Sequence, residues 1–209
     1  MSRPWVSTLP QVEITKFTHS CVRVQVSGTV LVIDPGGWSE PAALDGCDAV
    51  LVTHEHGDHI DLRHLAGRKL PVYAPAGAAI EGLDFIAVSP GDAFTAAGIS
   101  VRAVGGGHAP VYGGTPPCPN VGYVIDESLY HPGDALHVPD GQVRTLLVPM
   151  QASWLKLAEA IDFVRAVAPE RCYGIHDGQI NERGLGATNA WLARQASEAY
   201  RWLAPGEIA

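Results

Sequence analysis

Between positions 53 and 61 the chain reads Thr53-His54-Glu55-His56-Gly57-Asp58-His59-Ile60-Asp61, with three histidines and an aspartate within six consecutive positions. Imidazole nitrogens and carboxylate oxygens are donors that suit zinc and its neighbouring transition metals. On a loop, His54 and His56 can point one way while Asp58 and His59 point another, which serves two metal ions better than one. Gly57 permits backbone angles and close approaches that other residues resist. Burying so many unpaired imidazoles and carboxylates beside an apolar strand is costly without a cation. The chemistry this predicts is metal-dependent. No G-x-S-x-G element accompanies it, so a serine nucleophile elbow is not expected.

A strand must carry this segment, and the sequence provides one. Asp48-Ala49-Val50-Leu51-Val52-Thr53 is nearly all apolar and runs straight into His54. Before it, Val12 to Phe17 and Cys21 to Val26 alternate apolar and polar residues, as half-exposed strands do. Thr29 to Asp34 runs nearly continuously apolar, as expected for a strand covered on both faces. Further strands are expected at 71–74, 85–88, 99–104, 121–125 and 145–150. Helical periodicity marks Leu155 to Val167 and Thr188 to Leu203, with Thr188 as a plausible N-cap. Many strands with late helices fit an α+β fold of two sheets with helices outside, an αββα four-layer sandwich. With no repeat and no dividing linker, residues 1–209 read as one domain.

Composition narrows the function. The 209 residues are 46% hydrophobic and 17% charged, which argues against a mostly disordered chain. A formal charge of −8 and only three lysines disfavour nucleic acid as a partner, since that needs a basic footprint. There is no apolar run of the ~20 residues that spans a bilayer, and the N-terminal residues lack a signal-peptide core. Four dispersed cysteines without a C-x-x-C pair read as free thiols of a reducing compartment. The expectation is a cytoplasmic protein with a small-molecule substrate and neither a nucleic-acid nor a membrane partner. Its oligomeric state is not legible.

His54-x-His56-x-Asp58-His59 after a buried strand resembles the signature of the metallo-β-lactamase superfamily. Ile33-Asp34-Pro35-Gly36 precedes it, and Gly107-His108, His131-Pro132-Gly133-Asp134 and Tyr173-Gly174-Ile175-His176 follow in the family's order. The branch it is most similar to is that of ascorbate-6-phosphate lactonases and their uncharacterised metal-dependent relatives. The resemblance implies that His54, His56 and His108 hold one metal, and Asp58, His59 and His176 a second, with Asp134 bridging. Asp58 and Asp134 are thereby implicated in catalysis. Two divalent ions are expected, zinc by default, with manganese or iron as alternatives. A metal-bridging hydroxide would then attack a small-molecule ester, a lactone foremost. A phosphodiesterase with the same dinuclear site is the alternative, and a mononuclear iron oxygenase or a non-catalytic metal sensor remain open.

Four outer residues complete the expected site. Asp34 would support a ligand histidine, or merely form a turn before Pro35. His19, in Thr18-His19-Ser20, matches a G-H-[AS] element of the lactonase-like branch with threonine in place of glycine, and either lines the site or packs as a strand histidine. Tyr112, in a glycine- and proline-rich loop after His108, is the loop's candidate substrate contact, or packs the loop. Asn120 would aim its amide at substrate, or serve as an ordinary turn residue.

Overall fold

The computed structural model describes residues 12–113 and 117–209. Six strands form the first sheet in chain order: β1 (Val12–Lys16), β2 (Val22–Val26), β3 (Thr29–Ile33), β4 (Ala49–Leu51), β5 (Val72–Pro75) and β6 (Ile86–Val88). Antiparallel pairing joins β1 to β2 and β2 to β3, and the rest of the sheet is parallel. The second sheet comprises β7 (Ala93–Ala96), β8 (Ile99–Gly105), β9 (Val121–Ile125), β10 (Leu129–His131), β11 (Thr145–Pro149), β12 (Arg171–Ile175) and β13 (Tyr200–Arg201). Its spatial order runs from β13 back to β7, antiparallel from β7 to β10 and parallel from β10 to β13.

The alternation of side chains along each strand divides the apolar residues between three layers. Leu31 and Ile33 of β3 point between the sheets, where they meet Val101, Tyr123 and Leu147 of the second sheet. Val30 and Val32, one step out of register, face outward under a 3-10 turn (Pro41–Leu44) and the four-residue helix α1 (Leu62–Leu65). On the far side, Leu146 and Val148 of β11 pack beneath α2 (Leu157–Val167) and α3 (Glu182–Gln195). This is an α+β sandwich of two facing sheets with helices outside, as the sequence predicts, with a thin helical layer over the first sheet. Continuous apolar runs in β3 and β11 reflect burial on both faces.

Three helix boundaries differ from the sequence reading. The second helix begins at Glu182, not Thr188, because Asn181 caps it by accepting from the Gly184 N–H at 3.0 Å. It also stops at Gln195, since Tyr200–Arg201 leaves to pair with Cys172 and Tyr173 as an edge strand. The first starts at Leu157, because Leu155 is held in a bridge to Ala152.

The topology delivers one consequence for function. Asp34 follows β3, His54 follows β4, His108 follows β8, Asp134 follows β10 and His176 follows β12. Chemistry-bearing residues from both sheets thus meet beyond the C-terminal ends of their strands. Among the described residues, no helix is long and apolar enough to cross a membrane.

Candidate metal centre

The histidine segment is held in place by a close backbone approach. Gly36 lies so near the chain at Asp58 that a Cβ built on it would sit 1.8 Å from the Asp58 carbonyl oxygen. Only glycine fits. Asp34, two residues earlier, is fully buried with φ of 52°, and its carboxylate is saturated. Oδ1 accepts from the Thr53 N–H at 2.7 Å, and Oδ2 accepts from the Thr53 hydroxyl and from His59 Nδ1, each at 2.7 Å. Asp34 therefore does orient a histidine of the segment, and its turn is part of that arrangement.

Four histidines are pinned the same way, through Nδ1. His59 donates from Nδ1 to Asp34, His108 to the Ala109 carbonyl at 2.6 Å, and His176 to the Gln151 carbonyl at 2.5 Å. His54 Nδ1 lies 3.1 Å from Thr53 Oγ1, which has spent its own proton on Asp34 and so accepts. Those bonds leave every Nε2 facing inward. Nε2 of His59 is 3.1 Å from Asp134 Oδ1, while Nε2 of His176 and of His108 are 3.0 and 3.4 Å from Asp134 Oδ2. His56 turns Nδ1 inward, 3.0 Å from His54 Nε2, and its outer Nε2 lies 3.7 Å from Cys118 Sγ.

Donor atoms within 4.8 Å of one another form three overlapping groups: His54, His56 and His108; His54, His59 and Asp134; and His19, Asp58, His59 and His176. The seven expected ligands are thus brought together, with His19 beside them. Nε2 of His59, His108 and His176 and Oδ1 of Asp134 are buried without a hydrogen-bond partner. Buried polar atoms left in that state are expensive, and lone pairs converging at 3 Å repel unless a proton or cation lies between them. The donor set fits divalent cations on both counts.

Electrostatics agree. Burial pushes the Asp134 carboxyl up, but the positive charge of His59 and the imidazoles of His108 and His176 beside it outweigh that and hold it well below the usual range. Burial disfavours the charged His59 ring, yet the flanking carboxylates of Asp134 and Asp34 raise it well above an ordinary histidine. Burial and neighbouring imidazoles keep His54 neutral. Asp58 is lowered to about 2, since the His19 hydrogen bond and the His59 charge overcome the cost of its burial.

The outer residues divide. His19 is fully buried with φ of 67°, accepts from the Gly178 N–H at Nδ1, and places Nε2 3.2 Å from Asp58 Oδ2. It lines the centre. Thr18, in the position glycine usually holds, fixes that turn by binding Glu40 through its N–H at 3.0 Å and its hydroxyl at 2.6 Å. Asn120 does not face substrate. Its buried amide donates to the Pro132 carbonyl and accepts from the Asp134 N–H, both at 3.0 Å, so it shapes the turn that presents Asp134. Tyr112 stands 83% exposed, and its neighbour Val111 faces the cavities instead. The other residues of the 105–119 loop include 114–116, which lie outside the described residues.

Three contributors carry little signal in sequence. Trp154, in an irregular segment after β11, donates from its indole N–H to Asp134 Oδ2 at 2.9 Å. His131 bridges two loops, facing the Ser20 carbonyl at 2.9 Å while accepting from the Gly133 N–H. Asp177 forms a buried ion pair with Lys16 at 3.1 Å and accepts from the Trp202 indole at 2.7 Å, tying down the turn that carries His176. A buried lysine on a strand is the one clue that could have suggested this last network.

Adjoining spaces border the centre. A cavity of about 170 Å³ lies over His56, Asp58, His108, Asp134 and His176. A larger one of about 900 Å³ shares Val111, Ser153, Trp154 and His108 with it.

Comparison with known proteins places this arrangement in a family. The model of the beta-lactamase superfamily domain matches residues 13–176. Protein Rv0786c of Mycobacterium tuberculosis is 41% identical over 187 residues, covering 83% of this chain and 88% of that protein. The UPF0173 metal-dependent hydrolase MK1542 of Methanopyrus kandleri is 27% identical over 202 residues, covering 79% and 84%. Among solved structures, Igni18, a metallo hydrolase of Ignicoccus hospitalis, superposes with a TM-score of 0.72 at 22% identity, covering 95% of this chain and 97% of that one. Over residues 13–176, the span that carries all seven expected ligands from His54 to His176, the chain belongs to the beta-lactamase superfamily.

Proposed function

We propose that this protein is a dinuclear metal-dependent hydrolase of small-molecule esters, lactones foremost. What carries the reading is the convergence of four partnerless buried donor atoms, on His59, His108, His176 and Asp134, at the open end of the sandwich. The metal-dependent hydrolase among its relatives supports the same class. His54, His56 and His108 would hold one ion, and Asp58, His59 and His176 the other, with Asp134 shared. Divalent ions supply a water nucleophile at neutral pH, by lowering a bound water's pKa towards ~7, and stabilise charge on the reacting oxygens.

The chain's own residues do the rest. Asp34 and the Ala109 and Gln151 carbonyls fix the tautomer and direction of three ligand imidazoles. Trp154 holds one oxygen of Asp134 and walls the site from bulk water on the cavity side. Substrate enters past Val111 and lays its reacting group in the smaller space, against Asp58 and His56. The test is hydrolysis of a panel of lactones and esters by the purified protein before and after chelation. Activity lost on chelation and restored by divalent cations is the expected result. A fully metal-loaded protein that hydrolyses none of the panel would overturn it.

A further inference from the structure

We propose that the substrate is a neutral ester or lactone with an apolar body, and that this body occupies the cavity of about 900 Å³ beside Trp154. The proposal rests on the hydrolase reading and adds the substrate class. The cavity shares Val111, Ser153 and Trp154 with the space over the donor atoms, so a molecule reacting there extends into it. Its size suits a ligand of several rings or a medium chain.

The lining selects the class. Val111, Ala135, Leu136, Trp154 and Leu155 present carbon, while the 105–107 glycines present open backbone and His108, His137 and Ser153 add scattered polar atoms. Among the described residues, Lys156 and Glu159 supply its full charges. They sit 4.0 Å from each other at the rim, with the Lys156 side chain 84% exposed, so each offsets the other in water. Among the described residues, no arginine lines either cavity. Arg63, Arg102, Arg144 and Arg201 are each paired with a carboxylate outside both cavities. Recognition of a phosphate or carboxylate normally enlists such a guanidinium fork, and none is aimed here. In the reaction, water oxygen bonds to the carbonyl carbon and the bond to the leaving alkoxide breaks. The alkoxide takes up a proton, and the acid product releases one to solvent.

The experiment measures kcat/KM of the metal-loaded protein on γ-lactones and p-nitrophenyl esters with alkyl bodies of rising length. Matched substrates with a terminal carboxylate or phosphate, and a bis-aryl phosphodiester, complete the set. Calorimetric binding of methyl ketones of rising length gives a readout independent of turnover. The expected result is a gain approaching three- to fourfold per buried methylene in both series. Val111→Asp, at a half-exposed position that folding does not depend on, should flatten both slopes. Lys69→Gln, at an exposed position outside both cavities, should change neither by more than about twofold. Preference for the anionic bodies or the phosphodiester, or loss of that preference in Lys156→Gln, would overturn the substrate class while leaving the hydrolase reading intact. Length-dependent ketone binding without turnover of any ester would support the apolar cavity and overturn the hydrolase reading.

Discussion

The indole N–H of Trp154 donates to Asp134 Oδ2 at 2.9 Å, on the same oxygen that lies 3.0 Å from His176 Nε2. One residue thus walls the larger cavity and also orients the carboxylate shared by the proposed centre. Trp154→Phe keeps most of the ring and removes the donor. Metal affinity is expected to fall about 10- to 100-fold, as for other partners that orient ligands. Cobalt titration read by visible absorption checks it, with circular dichroism confirming an unchanged fold.

Asp34 binds three donors at 2.7 Å, and one of them is His59. Asp34→Ala leaves the Thr53 N–H and hydroxyl buried without an acceptor, which costs about 1–3 kcal/mol for each such group. Both metal affinity and the midpoint of urea unfolding should drop. Trp154→Phe, by contrast, should leave the midpoint nearly in place.

Proton linkage gives a pH prediction. In the metal-free protein the His59 ring keeps its proton above the ordinary histidine range, because Asp134 and Asp34 flank it. A cation at Nε2 must displace that proton, so binding releases it and apparent affinity rises as pH rises through neutrality. Calorimetry of metal uptake in buffers of different ionisation enthalpy measures the release. Uptake with no proton released would contradict the assignment of His59.

The histidine segment was legible because metal donors crowd into six residues after an apolar run, a pattern with few other uses. His108, Asp134 and His176 were legible through their short motifs, and Asp34 through its place at a strand end. Asn120 and Tyr112 were not, since sequence gives residue type without direction. Asn120 turned inward to hold a loop, and Tyr112 outward to solvent. Trp154 and the Lys16–Asp177 pair escaped because their partners lie far away in sequence. The start of the last helix was hidden by Gly184 and Gly186, which lower helix propensity but sit behind a good Asn181 cap.

Gly36→Ala is expected to be disruptive out of proportion to one methyl group. Its Cβ would meet the Asp58 backbone at 1.8 Å, so the segment bearing His56, Asp58 and His59 must move. The soluble variant should bind metal at least tenfold more weakly, as a few tenths of an ångström matter at ligand distances. Metal content after dialysis reports it.

Asp177→Ala strands the Lys16 ammonium, which is 1% exposed and whose pKa burial already lowers. Breaking a buried pair from one side costs about 3–5 kcal/mol. The double variant Lys16→Met with Asp177→Ala should recover part of that loss in a denaturant titration, since no unpaired charge remains.

The central claim is a two-metal centre, and metal-resolved mass analysis of the intact protein tests it most directly. Two divalent ions per chain are predicted, falling to one or none in Asp134→Ala while the fold is retained. A single iron per chain, with thiol-dependent oxygen uptake in place of lactone hydrolysis, would contradict it.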